Sequence, residues 1–295
     1  MLALLLQPPG DENMKVLVSG GTGFLGQAIV QRLKQDGHAV HILSRKSVGD
    51  GVVQGDITKP ETLAVTFETL KNVEAVIQCA QFPGHPFENR RKGYTYWQVD
   101  ALGTENLVRA AEQAKVKQFI YISGAGTDGK KSEPWFRAKW HAEESVRRSD
   151  MAATILRPSW IYGPGDKSLN RIIGALRQFP IFPMMGNGGN HVQPLLISDL
   201  AEVVAACMAY AGGHRVFEVG GPKEMTMRQM LQTVLKMLGK KCRVVPVPKW
   251  VVKIVLNANA VDFITMDVHI NITPLQKTFP HIQFKSLEEG LSTYL

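Results

Sequence analysis

The chain has 295 residues, of which 44% are hydrophobic and 20% charged, with a net charge of +8 at pH 7 and three cysteines. That length suits one large α/β domain, or a nucleotide domain with a smaller substrate-covering part. Lys and Arg are scattered in short pairs, which argues against a nucleic-acid surface. Cys79, Cys207 and Cys242 show neither C-x-x-C nor Cys/His ligand spacing, so a reduced intracellular chain without a structural metal is expected.

Residues 1–13 read as a flexible extension. Leu2 to Leu6 is apolar, but Pro8-Pro9-Gly10-Asp11-Glu12 breaks the run, and it lacks the basic start and apolar length of a signal peptide. Met14 offers an alternative start. Nowhere does an apolar run reach the roughly 18 to 20 residues of a membrane span.

Met14 to Ser19 is a β-branched, buried-type strand that stops at Gly20-Gly21-Thr22-Gly23-Phe24-Leu25-Gly26. A helix follows at once, with Leu25, Ile29 and Leu33 on its apolar face and Gly37 at its end. Gly21, Gly23 and Gly26 fit G-x-G-x-x-G, while Gly20, Gly23 and Gly26 fit G-x-x-G-x-x-G. Either spacing makes a tight turn, lets backbone approach a pyrophosphate and packs helix close to strand. The anion would rest on the helix N-terminus, so this strand–turn–helix predicts a dinucleotide site.

Ala39 to Leu43 is a second strand, ending in Ser44-Arg45-Lys46. A carboxylate at this tip would meet the ribose 2′-OH of NAD. The basic pair instead suits a 2′-phosphate and favours NADP over NAD. A third strand over Gly51 to Gln54 leads to Gly55-Asp56-Ile57, where Asp56 meets the adenine or caps the helix opened by Pro60. The fourth, Glu74 to Ala80, ends in residues small enough for a nucleotide to lie against Cys79, Ala80 and Gln81. Gln81 to Tyr96 reads as a loop over the site, Trp97 to Ala114 as a helix and Gln118 to Ser123 as strand five. The alternation predicts parallel strands with right-handed crossovers, a doubly wound Rossmann sheet.

The glycine loop, Gly55-Asp56-Ile57, Tyr121-Ile122-Ser123, Lys139 within Arg137-Ala138-Lys139-Trp140, Leu156-Arg157-Pro158 through Gly163-Pro164-Gly165-Asp166, and Pro194 through Ala201 together resemble the extended and atypical short-chain dehydrogenases/reductases. The pattern is similar to the branch of the complex I nucleotide-binding accessory subunit and NmrA-like proteins. In catalytic members of this superfamily a Tyr stands four residues before the Lys, and a Ser or Thr follows strand five. The Lys and the nicotinamide ribose lower the phenol's pKa for proton exchange during hydride transfer. Here Lys139 is present, but Trp135 takes the Tyr position, and its indole is a donor only. Gly124 falls where the Ser or Thr belongs, with Ser123 one residue earlier. The resemblance implies that Lys139 bonds the ribose, that Ser123 assists it, and that Pro158 and Ile161 face the nicotinamide. Tyr121 and Tyr162 are open as replacement acids, although each is more often a packed aromatic.

Downstream, Ala153 to Arg157 is strand six, Leu169 to Phe179 is amphipathic, and Pro180 to Asn190 reads as an irregular pocket-lining segment with Met184 and Met185 as pocket wall or core filler. His191 is a pocket polar group or a structural histidine, and Asp199 reads as the N-cap of a helix over Leu200 to Ala211. Arg215 to Gly221 is a late strand, Thr226 to Leu238 a helix, Lys249 to Phe263 a core-covering helix, and Ser286 to Leu291 a closing turn of helix. The division expected is 1–13, a dinucleotide domain over 14–165, and a substrate-covering part over 166–295 whose strands return to the main sheet.

The function expected is an NADPH-dependent oxidoreductase acting on a hydrophobic carbonyl, enone or quinone. The alternative is a non-catalytic NADP(H)-binding scaffold or redox sensor in a larger complex, and a nucleotide-sugar epimerase ranks third. The partner is a small hydrophobic substrate or a protein, not a nucleic acid; a homodimer is left open. A cytoplasmic location is expected, with peripheral membrane association left open.

Overall fold

The computed structural model describes residues 13–46, 48–209, 213–256 and 258–295, so most of the 1–13 extension lies outside the described residues. In chain order it begins with β1 (Lys15–Ser19), α1 (Phe24–Gln35), β2 (Ala39–Ser44), β3 (Val52–Gln54), α2 (Pro60–Leu70) and β4 (Ala75–Gln78). A π-helical turn over Tyr96–Leu102 then runs into α3 (Gly103–Gln113), followed by β5 (Gln118–Ile122), α4 (Pro134–Arg147) and β6 (Ala152–Pro158). Next come β7 (Ile161–Tyr162), α5 (Leu169–Gln178), β8 (Ile181–Met185), β9 (His191–Val192), β10 (Leu195–Leu196), α6 (Ile197–Met208) and β11 (Arg215–Val219). The chain closes with β12 (Met225–Thr226), α7 (Met227–Leu238), β13 (Arg243–Val247), α8 (Lys249–Val255), α9 (Ala258–Ile264), α10 (Thr273–Thr278) and α11 (Leu287–Ser292).

Seven strands form the main sheet in the order β11-β6-β5-β4-β1-β2-β3, and β1 to β6 are parallel throughout. This is the expected doubly wound order, with strand direction of travel reversing between β1 and β4. The inner strands are buried on both faces, as Val16, Leu17, Val18, Ala75, Val76, Ile77, Phe119 and Ile120 show.

The chain divides into two compact units, one running to Arg157 and taking back Ala201–Phe217, the other made of Pro158–Leu200 and Glu218–Leu295. The second unit has its own core, where α5 (Leu169, Ile173, Leu176), α7 (Met230, Leu231, Val234) and α11 (Leu287, Leu291) pack around Tyr162 and Met184. α7 opens on a capping box between Thr226 and Gln229, and α11 on one between Ser286 and Glu289.

Four expectations need correction. The helix expected over Trp97 to Ala114 opens with the π-helical turn, in which Asp100 is buried. Pro180 to Asn190 is irregular only from Gly186 onward, because Ile181–Met185 pairs in parallel with Arg243–Val247, a partner far along the chain that no local pattern reveals. Met184 is accordingly core. Asp199 is inside the first turn of α6 rather than capping it; its carboxylate accepts from the Lys285 N–H at 2.7 Å. Lys249 to Phe263 is two short helices, and α8 buries none of its residues: Trp250, Ile254 and Val255 are 68, 75 and 83% exposed. Its apolar period specifies a helix without specifying what covers it.

Candidate functional site

The turn between β1 and α1 is set by contacts that admit no side chain. Gly20 has φ +83°, and a Cβ on it would stand 2.6 Å from the Ala80 N; one on Gly26 would stand 2.1 Å from the Gly20 O. The Gly23 N–H closes the turn on the Gly20 carbonyl at 2.9 Å. β1 and β4 are thereby held together at their carboxyl ends, where strand order reverses. Helix α1 starts there with no side-chain cap on Gly23 and no acidic residue in its first turn. The N–H groups of Phe24, Leu25 and Gly26 have no carbonyl four residues back in the helix, and the positive end of its dipole is open to an anion. Thr22 is at the exposed rim, and Gly21 packs on Ile42 and Val30. A pyrophosphate fits this cradle in shape and in charge.

On the β4 side, the Cys79 thiol donates to the Ser19 carbonyl at 3.1 Å, and burial pushes its pKa up to about 12. Cys79 is a packed group beside the cradle and not a nucleophile at neutral pH. Gln81 is exposed, its amide 3.4 Å from His85 Nδ1. At the tip of β2, Ser44 Oγ accepts from the Lys46 N–H at 3.2 Å, and the exposed Arg45 guanidinium stands 5.6 Å from the centre of the Tyr94 ring. Asp56 does not cap α2. Its Oδ1 accepts from the Thr58 N–H at 2.9 Å and hydroxyl at 2.7 Å, and Lys59 occupies the cap position. Ile57 is buried, its carbonyl accepting from the Asn106 amide at 2.9 Å.

Lys139 reaches from α4 to the carboxyl end of β5. Its Nζ lies 3.2 Å from Asp100 Oδ1, 3.5 Å from the Ile122 carbonyl and 5.4 Å from the centre of the Tyr121 ring, and both charged side chains are buried. Burial works against the ammonium, but the Tyr121 hydroxyl and the Asp100 carboxylate outweigh it and hold the lysine above its ordinary pKa. Burial lifts Asp100 above the usual carboxylate range, with Lys139 pulling it back. Sequence reasoning missed Asp100, because an acidic residue on an apparent helix reads as its wet face. It stands one, two and three turns before the buried Thr104, Leu107 and Ala111, on the inward face, where Lys139 meets it.

The remaining catalytic positions part company with the superfamily. Trp135 is buried and lies over Gly124, where a Cβ would come within 2.4 Å of the indole ring. The bulky residue in the tyrosine position and the absent side chain in the serine position are thus one packing arrangement. Ser123 follows the Ile122 carbonyl that Lys139 approaches, and its Oγ donates to Glu143 Oε1 at 2.6 Å. Glu143 is buried and shared by Arg147 and by Arg157, whose Nε and Nη2 donate at 2.8 and 2.6 Å. Ser123 therefore joins a charge network inside the first unit. Burial pushes the Tyr121 hydroxyl upward, and likewise that of Tyr162, whose Oη donates to the Ser286 carbonyl at 3.3 Å. Neither phenol is poised to exchange protons near neutrality. In the second unit Pro158 is buried and Ile161, half-buried, pairs with Leu195.

Another polar pair stands in the Gln81 to Tyr96 loop. The Tyr96 hydroxyl lies 2.9 Å from His85 Nδ1, with Phe82 edge-on to both rings. Burial, and then the Lys139 charge, push the imidazole down to about 4, so it is neutral at pH 7. Between that value and the 6.5 of a free imidazole the unfolded chain binds the additional proton, so stability falls as pH drops through this window. His85→Gln is expected to flatten the thermal-unfolding profile between pH 6.5 and 4. An unchanged profile would place the acid sensitivity elsewhere.

With this geometry established, similarity to known proteins is informative. The sequence profile of the NAD dependent epimerase/dehydratase family matches residues 16–220. The chain is 26% identical to the mitochondrial NADH dehydrogenase (ubiquinone) 1 alpha subcomplex subunit 9 of Arabidopsis thaliana, over 78% of this chain and 60% of that protein. It is 27% identical to the UDP-glucose 4-epimerase of Vibrio cholerae, over 95% of each. Among solved structures, the human epimerase family protein SDR39U1 with NADPH superposes with a TM-score of 0.81 at 21% identity, covering 95% of this chain and 98% of that one, which is a likeness of fold. No helix among the described residues is long and apolar enough to cross a membrane. The glycine cradle, the parallel sheet and a profile match over most of the sequence agree that this chain belongs to the NAD dependent epimerase/dehydratase family, the extended short-chain dehydrogenases/reductases.

Proposed function

We propose that this protein binds NADP(H) at the β1/β4 crevice and holds it without the tyrosine-driven proton relay of its catalytic relatives. The observation that carries this reading is Trp135, which stands four residues before Lys139 and fills the space over Gly124 with a ring that cannot exchange a proton near neutral pH. The loop from Gly20 to Gly26 takes the pyrophosphate on backbone N–H groups, Ser44, Arg45 and Lys46 take the 2′-phosphate, and Asp56 and Ile57 flank the adenine. Cys79, Ala80 and Gln81 line the opposite wall. Lys139 is held by Asp100, so any bond to the nicotinamide ribose shares an ammonium already engaged. When bound, the nicotinamide supplies hydride chemistry, and the chain contributes position and field.

Arg45→Ala is expected to weaken NADPH about tenfold or more while changing NADH little, the usual weight of a charge-assisted hydrogen bond. Equal losses would remove the 2′-phosphate from the tip of β2. The direct test is fluorescence titration of the purified protein with NADPH and NADH, continued after addition of a quinone and enone panel. Binding that favours NADPH and does not decay supports a nucleotide-holding protein, as docking to a larger complex would need; the relative among the subunits of an NADH dehydrogenase supports that direction.

A second reading, a reductase of hydrophobic carbonyls, enones or quinones, is favoured by one observation. Tyr96 and His85 pair at 2.9 Å within the field of Lys139, polar groups that would orient a carbonyl or quinone oxygen while water supplies the proton. NADPH oxidation that Lys139→Ala and Tyr96→Phe both abolish would establish it over the first. The epimerase reading needs the absent tyrosine.

A further inference from the structure

The second unit carries a cluster of metal-ligating groups that nothing in the nucleotide site uses. His191 stands in β9, Glu224 just before β12, and Asp267 and His269 beyond the end of α9. Backbone bonds fix all three segments together. β12 pairs antiparallel with β9, placing Thr226 opposite His191, and the Val268 N–H donates to the His191 carbonyl at 3.1 Å. Asp267 and His269 flank Val268 and turn to the same side. Asp267 Oδ1 accepts from the His191 N–H at 2.8 Å and lies 3.1 Å from its Nδ1.

Ring nitrogens and carboxylates converge in the space between. His269 Nδ1 is 3.1 Å from both oxygens of Glu224, and His191 Nε2 is 3.9 Å from Glu224 Oε1. The two imidazoles are 5.0 Å apart at their centres, and one ligand atom from each of His191, Asp267 and His269 lies within 4.8 Å of the others. Four donors around one tetrahedral ion stand about 3.3 Å apart, as bond lengths near 2.0–2.1 Å require. The side chains are partly exposed, so rotamer changes alone close the remaining gap while the backbone stays in place.

We propose that His191, Glu224, Asp267 and His269 form a divalent transition-metal site of the zinc class. Two imidazoles and two carboxylates are the nitrogen and oxygen donors that borderline ions take, whereas the hard cations Mg²⁺ and Ca²⁺ select oxygen alone. The two carboxylates balance the charge of one such ion inside a chain that is otherwise strongly basic. Bound there, the metal clips the segment after α9 onto the β9–β12 pair, and its free energy of binding adds to the stability of the second unit. The site owes nothing to nucleotide binding and stands or falls separately from it.

The test is calorimetric titration of full-length, EDTA-treated protein with Zn²⁺, and with Mg²⁺ in parallel. One Zn²⁺ per chain is expected with a micromolar or tighter Kd, weakened about tenfold or more by His269→Asn and again by Asp267→Asn. Both variants should melt at the temperature of the EDTA-treated parent, since Asp267→Asn is isosteric and keeps an oxygen for the His191 N–H, and His269 is exposed. The unmodified protein loaded with Co²⁺ should show the intense visible bands of a tetrahedral ion, a readout that needs no variant. Absence of Zn²⁺ binding, affinity unchanged in both variants, Mg²⁺ bound as tightly as Zn²⁺, or a colourless octahedral-type Co²⁺ spectrum would each overturn the assignment.

Discussion

Gly26→Ala is expected to abolish nucleotide binding and to destabilise the first unit more than any other single-methyl change in it. The added Cβ would lie 2.1 Å from the Gly20 carbonyl oxygen and 2.6 Å from the Gly21 Cα, both backbone atoms in the turn itself. No side chain can rotate away to make room, so α1 must lift from β1 or the turn must open. Overpacking a rigid site costs about 1–3 kcal/mol and more when backbone has to move, and here the upper end applies. The same displacement carries the α1 N-terminus away from its anion. Urea denaturation should show a lowered midpoint with an unchanged slope, and NADPH fluorescence enhancement should disappear even well below that midpoint. Gly23→Ala is the natural comparison: its Cβ meets only the Gly20 O at 3.2 Å, so stability should change little. A Gly26→Ala protein that binds NADPH normally would refute the close approach on which the site is built.

What was legible beforehand follows from range along the chain. The β1-turn-α1 unit could be read because strand, glycines and helix are contiguous, and each glycine has a local steric reason that no tertiary context alters. Parallel alternation through β6 could be read for the same reason. Pairings between distant segments could not. β8 found its partner in β13, and His191 met Asp267 and His269, through register that a local window does not contain. Asp100 was hidden for a different reason: it shares the inward face of Thr104, Leu107 and Ala111, but a carboxylate is read as solvated unless its buried cation is known. Ser123 and Gly124 show the limit of matching by position. Hydrogen bonding commits the serine to Glu143, while the glycine exists to admit Trp135, and only packing distinguishes these roles.

Lys139→Met is expected to be the most destabilising substitution at the candidate site, and its cost should depend on pH in an unusual direction. Removing the ammonium leaves the Asp100 carboxylate buried with its cation gone, which costs about 3–5 kcal/mol when one partner of a buried pair is deleted. Burial already raises Asp100 above its unfolded value of 3.8, and loss of the lysine removes the group that pulls it down. The folded variant then holds a proton that the unfolded chain has released, so its stability is greatest at low pH and falls as pH rises through the folded pKa of Asp100. Urea midpoints should therefore separate variant from parent more at pH 8 than at pH 5. Asp100→Asn removes the buried charge, so the double variant should recover part of the loss, and a cycle of the two changes should depart from additivity by about 1–3 kcal/mol. Additive costs, or a variant whose deficit shrinks with rising pH, would mean that the two side chains are not coupled as their 3.2 Å separation implies. The double variant also separates two roles for the lysine. If Lys139 serves only to neutralise Asp100, the refolded double variant binds NADPH like the parent; if the ammonium also reaches the ribose, affinity stays low although stability has returned.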